Sequence, residues 1–145
     1  MRATTHGVVG GLIMISSPNI IVGAAGAFLS HFILDYLDES SQTGDRTKDS
    51  VIDISLFVIY TMTCVLSYNF VLGMIGWYMG NLPDIIDKPR RWFFGKEEWF
   101  SCHGGKGLFQ FRGHKLGEKS IYRLNGIKTF ALDLLLTFLF CITCL

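Results

Sequence analysis

Lysine and arginine are absent from three long stretches of this 145-residue chain, residues 7–34, 51–83 and 129–145. All 13 basic residues lie at Arg2, at Arg46 and Lys48, and in a run from Lys88 to Lys128. Charged residues make up only 17% of the sequence against 50% hydrophobic, a balance that excludes a solvated, disordered chain and favours an integral membrane protein. Four cysteines are too few and too scattered for a disulfide scaffold. Cys64 and the Cys141/Cys144 pair sit in apolar surroundings and read as small buried hydrophobes. The nucleotide-loop patterns G-x-G-x-x-G and G-x-x-x-x-G-K-[ST] are missing, and so is a G-x-S-x-G nucleophile elbow.

What is present is apolar sequence in blocks longer than the ~20 residues needed to cross a bilayer once. Ser16-Ser17-Pro18-Asn19 interrupts the first block, and Ser67-Tyr68-Asn69 interrupts the second more weakly. Each block is therefore expected to be a helical hairpin, over residues 4–37 and 51–86, with a polar loop at 39–50 between them. Residues 127–145 read as one further transmembrane helix. The expected fold is all-α: a single polytopic helical membrane bundle of two hairpins and a C-terminal helix. Residues 88–126 alternate Trp92, Phe93, Phe94, Trp99 and Phe100 with Arg90, Arg91, Lys96, Glu97 and Glu98, as a segment lying among lipid headgroups does. Bracketed by membrane segments, it is not expected to bind nucleic acid. Small-x-x-x-small pairs at Gly7/Gly11, Gly23/Ala27 and Gly76/Gly80 predict close helix packing in lipid.

The blocks share a pattern. Gly23 and Gly26 recur 50 places on as Gly73 and Gly76, His31 falls opposite Asn81, and each segment closes on a D-x-x-D pair, Asp35/Asp38 and Asp84/Asp87. Carboxylates at the end of a membrane-grade segment are expensive to place, which makes them functional candidates. His31 and Asp35 are four apart and so neighbours on one helix face, positioned to share a metal ion or simply to bond each other. Asp84 and Asp87 repel unless a cation joins them, and Pro83 is expected to break the helix before them. If both blocks are hairpins, His6, His31, Asp35, Asp53, Asp84 and Asp87 all fall at one membrane face, together with every lysine and arginine. The positive-inside bias makes that face cytoplasmic. His103 and His114 lie in a glycine-rich loop, and Asp133 is an acid within the last crossing.

These residues resemble a known group, the small membrane-embedded, metal-dependent hydrolases related to the bacterial inner-membrane protein YdjM. The likeness lies in Thr5-His6, in Gly80-Asn81-Leu82-Pro83-Asp84-Ile85-Ile86-Asp87 and in Ser30-His31-Phe32-Ile33-Leu34-Asp35. The motif order is reversed relative to that group, and its H-R-G-x-T-H-S signature is missing. The resemblance implies a compact helical bundle with a divalent metal at one face of the membrane.

The resulting expectation is a hydrolase of the bacterial inner membrane, acting on a phosphoester or lipid-linked substrate. A divalent ion (Zn, Mn or Mg) would be held by His31, Asp35, Asp84 and Asp87. His6 or His103 is expected as a further ligand or general base, and Arg90 and Arg91 as headgroup-binding residues. Asp53, His114 and Asp133 are secondary candidates. A metal or ion transporter and a non-catalytic membrane scaffold are the alternatives.

Overall fold

The computed structural model describes residues 3–37, 46–95, 100 and 126–144. Over these residues the chain is all-helical: α1 (Ala3–Ser16), α2 (Ile20–Leu37), α3 (Arg46–Leu66), α4 (Phe70–Phe94) and α5 (Gly126–Cys144). The first hairpin has the expected bounds. Its turn forms because Pro18 cannot continue α1 and Asn19 caps α2, the Asn19 side chain accepting the Val22 amide at 3.0 Å.

The second turn is a Schellman closure. The Asn69 amide reaches back to the Cys64 carbonyl at 3.0 Å and the Tyr68 amide to the Val65 carbonyl at 3.2 Å. Tyr68 takes the left-handed position at φ 57°, where a Cβ is disfavoured by roughly 1–2 kcal/mol, and its side chain is 98% exposed. Because no packing would be lost, Tyr68→Gly is expected to stabilise the fold by about 0.5–1 kcal/mol once the extra unfolded-state entropy of glycine is subtracted. Thermal unfolding in detergent checks this, and a lower midpoint would refute it.

Two boundaries differ from expectation. The polar segment 39–50 is not all loop, because α3 begins at Arg46. Nor does Pro83 break α4, which runs on through Pro83 and Pro89 to a left-handed Gly95. A proline costs a helix its own N–H bond, but Pro83 is fully buried, so packing holds the helix together. The first residues of the segment expected to lie flat among headgroups, Lys88 to Phe94, are thus the outer end of α4; the rest of it, apart from Gly95, Phe100 and Gly126, which opens α5, lies outside the described residues.

α1 is the axis of the bundle, with Thr4, Thr5, His6, Gly7, Val8, Gly10, Gly11 and Met14 all buried, and it contacts each of the other helices. Its closest neighbour is α4. A Cβ on Gly76 would lie 2.5 Å from the Gly10 carbonyl oxygen and one on Gly80 would lie 2.4 Å from that of His6. These two backbones touch, as small residues allow. Gly7 and Gly11 face side chains instead, Trp77 and Tyr60. Tyr60 anchors the other side of the core, its ring tilted against that of Phe140 and its hydroxyl donating to the Gly73 carbonyl at 2.6 Å.

Large apolar side chains cover the outer surface, among them Ile21, Ile33, Leu66, Val71 and Phe138, each more than 60% exposed. Among the described helices, α3 is long and apolar enough to cross a membrane, while α1, α2 and α5 are apolar but shorter in their described apolar parts.

Candidate metal centre

Three consecutive residues of α1 organise the polar end of the bundle. Successive helical residues point about 100° apart, so a triplet on a surrounded helix reaches three different neighbours. Thr4 donates its hydroxyl to Asp53 of α3 at 2.8 Å. The Thr5 hydroxyl bonds Asp133 of α5. His6 places Nε2 3.0 Å from Asp35 Oδ1 of α2.

His31 meets the same carboxylate from the other side. One turn before Asp35 on α2, its Nε2 lies 3.1 Å from Asp35 Oδ2. The two imidazoles stack with centroids 4.1 Å apart. One ligand atom from each of His6, His31 and Asp35 falls within 4.8 Å of the others, a grouping able to hold a metal ion. All three residues are buried, none more than 4% exposed. Asp84 of α4 reaches the edge of the group, its Oδ1 3.8 Å from His31 Nε2, while its other oxygen is held by Lys88 one turn along.

Hydrogen bonding sets the orientation of His31. Nδ1 lies 2.8 Å from the Gly80 carbonyl oxygen. A carbonyl only accepts, so Nδ1 carries the hydrogen and Nε2 is turned toward the carboxylates. An outer partner of this kind is what orients histidines in metal sites. Nε2 is fully buried yet lacks hydrogen-bond geometry to any partner, a costly state for a polar atom that a bound cation would relieve. The donor set fits a divalent ion on that ground. Gly80 has two roles here: its missing Cβ lets α4 approach the His6 backbone, and its carbonyl aims His31.

The structure brings together four of the residues singled out in the sequence: His6, His31, Asp35 and Asp84. His6, expected as a general base or further ligand, stands inside the ligand group. Asp87 is buried but accepts the Phe100 amide at 2.9 Å. Asp53 and Asp133 are bonded to Thr4 and Thr5. Arg90 lies on the outer turn of α4. The side chain of Arg91, and all of His103 and His114, lie outside the described residues. Sequence reasoning missed Thr4, which partners Asp53, and Lys88, which partners Asp84. A basic residue four after an acid on a helix was the available signal for Lys88.

Comparison with known proteins finds no match to a family model, to a curated protein or to a solved structure.

Proposed function

We propose that this chain is a membrane-embedded, metal-dependent hydrolase of a phosphoester, acting on a lipid-linked substrate at the cytoplasmic face of a bacterial inner membrane. The observation that carries this reading is the buried convergence of His6, His31 and Asp35, with the unsatisfied Nε2 of His31 among them. Imidazole with carboxylate suits Zn or Mn better than Mg, which prefers an all-oxygen shell. A divalent ion bound there would polarise the phosphoryl group and bring the pKa of a water close to neutrality.

The protein's own residues hold the site in shape. Asp35 spans both imidazoles, the Gly80 carbonyl fixes the His31 ring, and Lys88 holds Asp84 at the open edge. The membrane setting is supported by the exposed apolar side chains along the helices, a surface that soluble monomers rarely carry. It is supported too by the confinement of lysine and arginine to segments at one end of the apolar blocks. The short motifs resembling the YdjM-related hydrolases point the same way.

Complete burial of the cluster favours one other reading, in which the ion is structural and the chain is a membrane scaffold. One experiment separates the two. The protein is purified in detergent, loaded with Zn or Mn and desalted; bound metal is measured, then phosphate or headgroup release from phospholipid micelles, for wild type and Asp35→Asn. Hydrolysis and metal retention that are both lost in Asp35→Asn are the expected result. Metal retained by wild type without turnover on any phospholipid supports the scaffold, and a wild type that keeps no metal refutes both.

A further inference from the structure

Beside the cluster, between the start of α1 and the outer half of α4, lies a cavity of about 360 Å³. Ala3, Trp77, Ile85, Pro89 and Phe93 supply its apolar wall. At roughly 30 Å³ for a water-sized group, it has room for on the order of a dozen such groups, the bulk of one hydrocarbon chain and too little for two. Ile85 and Phe93 are also 44% and 79% exposed, so the cavity opens sideways onto the apolar outer surface of the bundle, where a lipid would enter.

Its polar features are few. Lys88, with its side chain 41% exposed, presents the one ammonium group on the wall among the described residues, beside Asp84. Two turns deeper stands Asn81, 2% exposed, whose amide nitrogen bonds the Trp77 carbonyl at 2.9 Å. An apolar trough for one chain with a cation at its edge describes one ligand chemistry, a hydrocarbon chain that ends in an anion.

We infer that this cavity holds a single-chain lipid phosphate, its chain against Trp77, Ile85 and Phe93 and its phosphate on Lys88. The inference rests on the hydrolase reading for its consequence, but not for the binding itself. A phosphate on Lys88 takes the place that the Asp84 carboxylate holds, one charge-assisted bond exchanged for another. Asp84, whose other oxygen is already 3.8 Å from His31 Nε2, is then released toward the cluster as the phosphoester arrives beside it. Lys88 thereby becomes the residue that reads the headgroup, on the same outer stretch of α4 as Arg90.

The test uses the full chain in dodecyl maltoside with radiolabelled oleoyl-lysophosphatidate as the probe, and oleoyl-lysophosphatidylcholine and inorganic phosphate as competitors. Wild type is expected to retain lysophosphatidate in preference to the choline lipid and to be indifferent to inorganic phosphate at the same concentration. Ile85→Trp, which fills the trough, is expected to weaken retention by about tenfold, and Lys88→Gln to remove the preference for the phosphomonoester by a similar factor. Bound metal is measured in the same samples and is expected to be unchanged in Ile85→Trp. Retention that neither substitution alters, or that inorganic phosphate abolishes, overturns the inference. Lipid retention by a protein that holds no metal leaves the inference standing and overturns the hydrolase reading alone.

Discussion

On the proposed hydrolase reading, replacing His31 with alanine is expected to abolish retention of a divalent ion and to lower hydrolysis by about 100-fold or more, since disturbing even an outer partner of a metal ligand costs 10–100-fold. The substitution removes the Nε2 ligand, the stack on His6 and the bond to the Gly80 carbonyl together. Some loss of folding stability is therefore expected whatever the ion does, and the decisive readout is the effect of a chelator. A ligand that binds only the folded state stabilises it by about 2.7 kcal/mol at a hundredfold excess over its dissociation constant. Wild type loaded with Zn or Mn should lose that increment when EDTA is added, whereas His31→Ala should melt at the same temperature with and without chelator. A wild type indifferent to the chelator would remove the ion from the account.

The second large effect is expected at the contact between α1 and α4. In Gly76→Ala the new methyl would meet the Gly10 carbonyl oxygen at 2.5 Å and the Gly11 Cα at 2.7 Å. Both are backbone atoms of a buried helix and neither can rotate away. The helices must separate, at a cost of about 3 kcal/mol, the upper part of the range for overpacked cores. Since Gly80 lies one turn further along the same seam and aims His31, metal retention should fall as well. Gly26→Ala is the milder comparison: its methyl would meet the Ile13 Cγ2 branch methyl at 2.8 Å and no backbone atom. The β-branched Ile13 is stiff at χ1 in a helix and must shift to make room, but alanine gains up to about 1 kcal/mol of helix propensity over glycine, so this variant should cost clearly less than Gly76→Ala. Equal unfolding midpoints for the two alanine variants would show that the α1–α4 seam is not the tight contact described.

The parts of this arrangement legible in the sequence are those that depend on neighbours along the chain. The turn at Ser17-Pro18-Asn19 could be read because proline and a capping asparagine act locally. The approach of His31 to Asp35 could be read because a spacing of four residues places two side chains on one face of any helix. The fate of Pro83 could not, because local chemistry argues for a break and burial overrode it. Nor could the pairing of Thr4 with Asp53 or of Thr5 with Asp133, since residues 49 and 128 positions apart meet only if α1 is surrounded by the other helices.

The amino-acid order alone determined that this chain is helical, where its first hairpin turns, and that His31 and Asp35 act as a pair, because periodicity, capping and i,i+4 spacing are short-range properties of the backbone. Only the tertiary structure decided that α1 runs through the middle, that His6 rather than Asp87 completes the buried group with His31 and Asp35, and that Lys88 guards Asp84 beside an apolar cavity. The reason is the glycine contact of α1 with α4: two backbones that touch bring residues of distant sequence to one point, and no local rule specifies which helix a glycine face will meet.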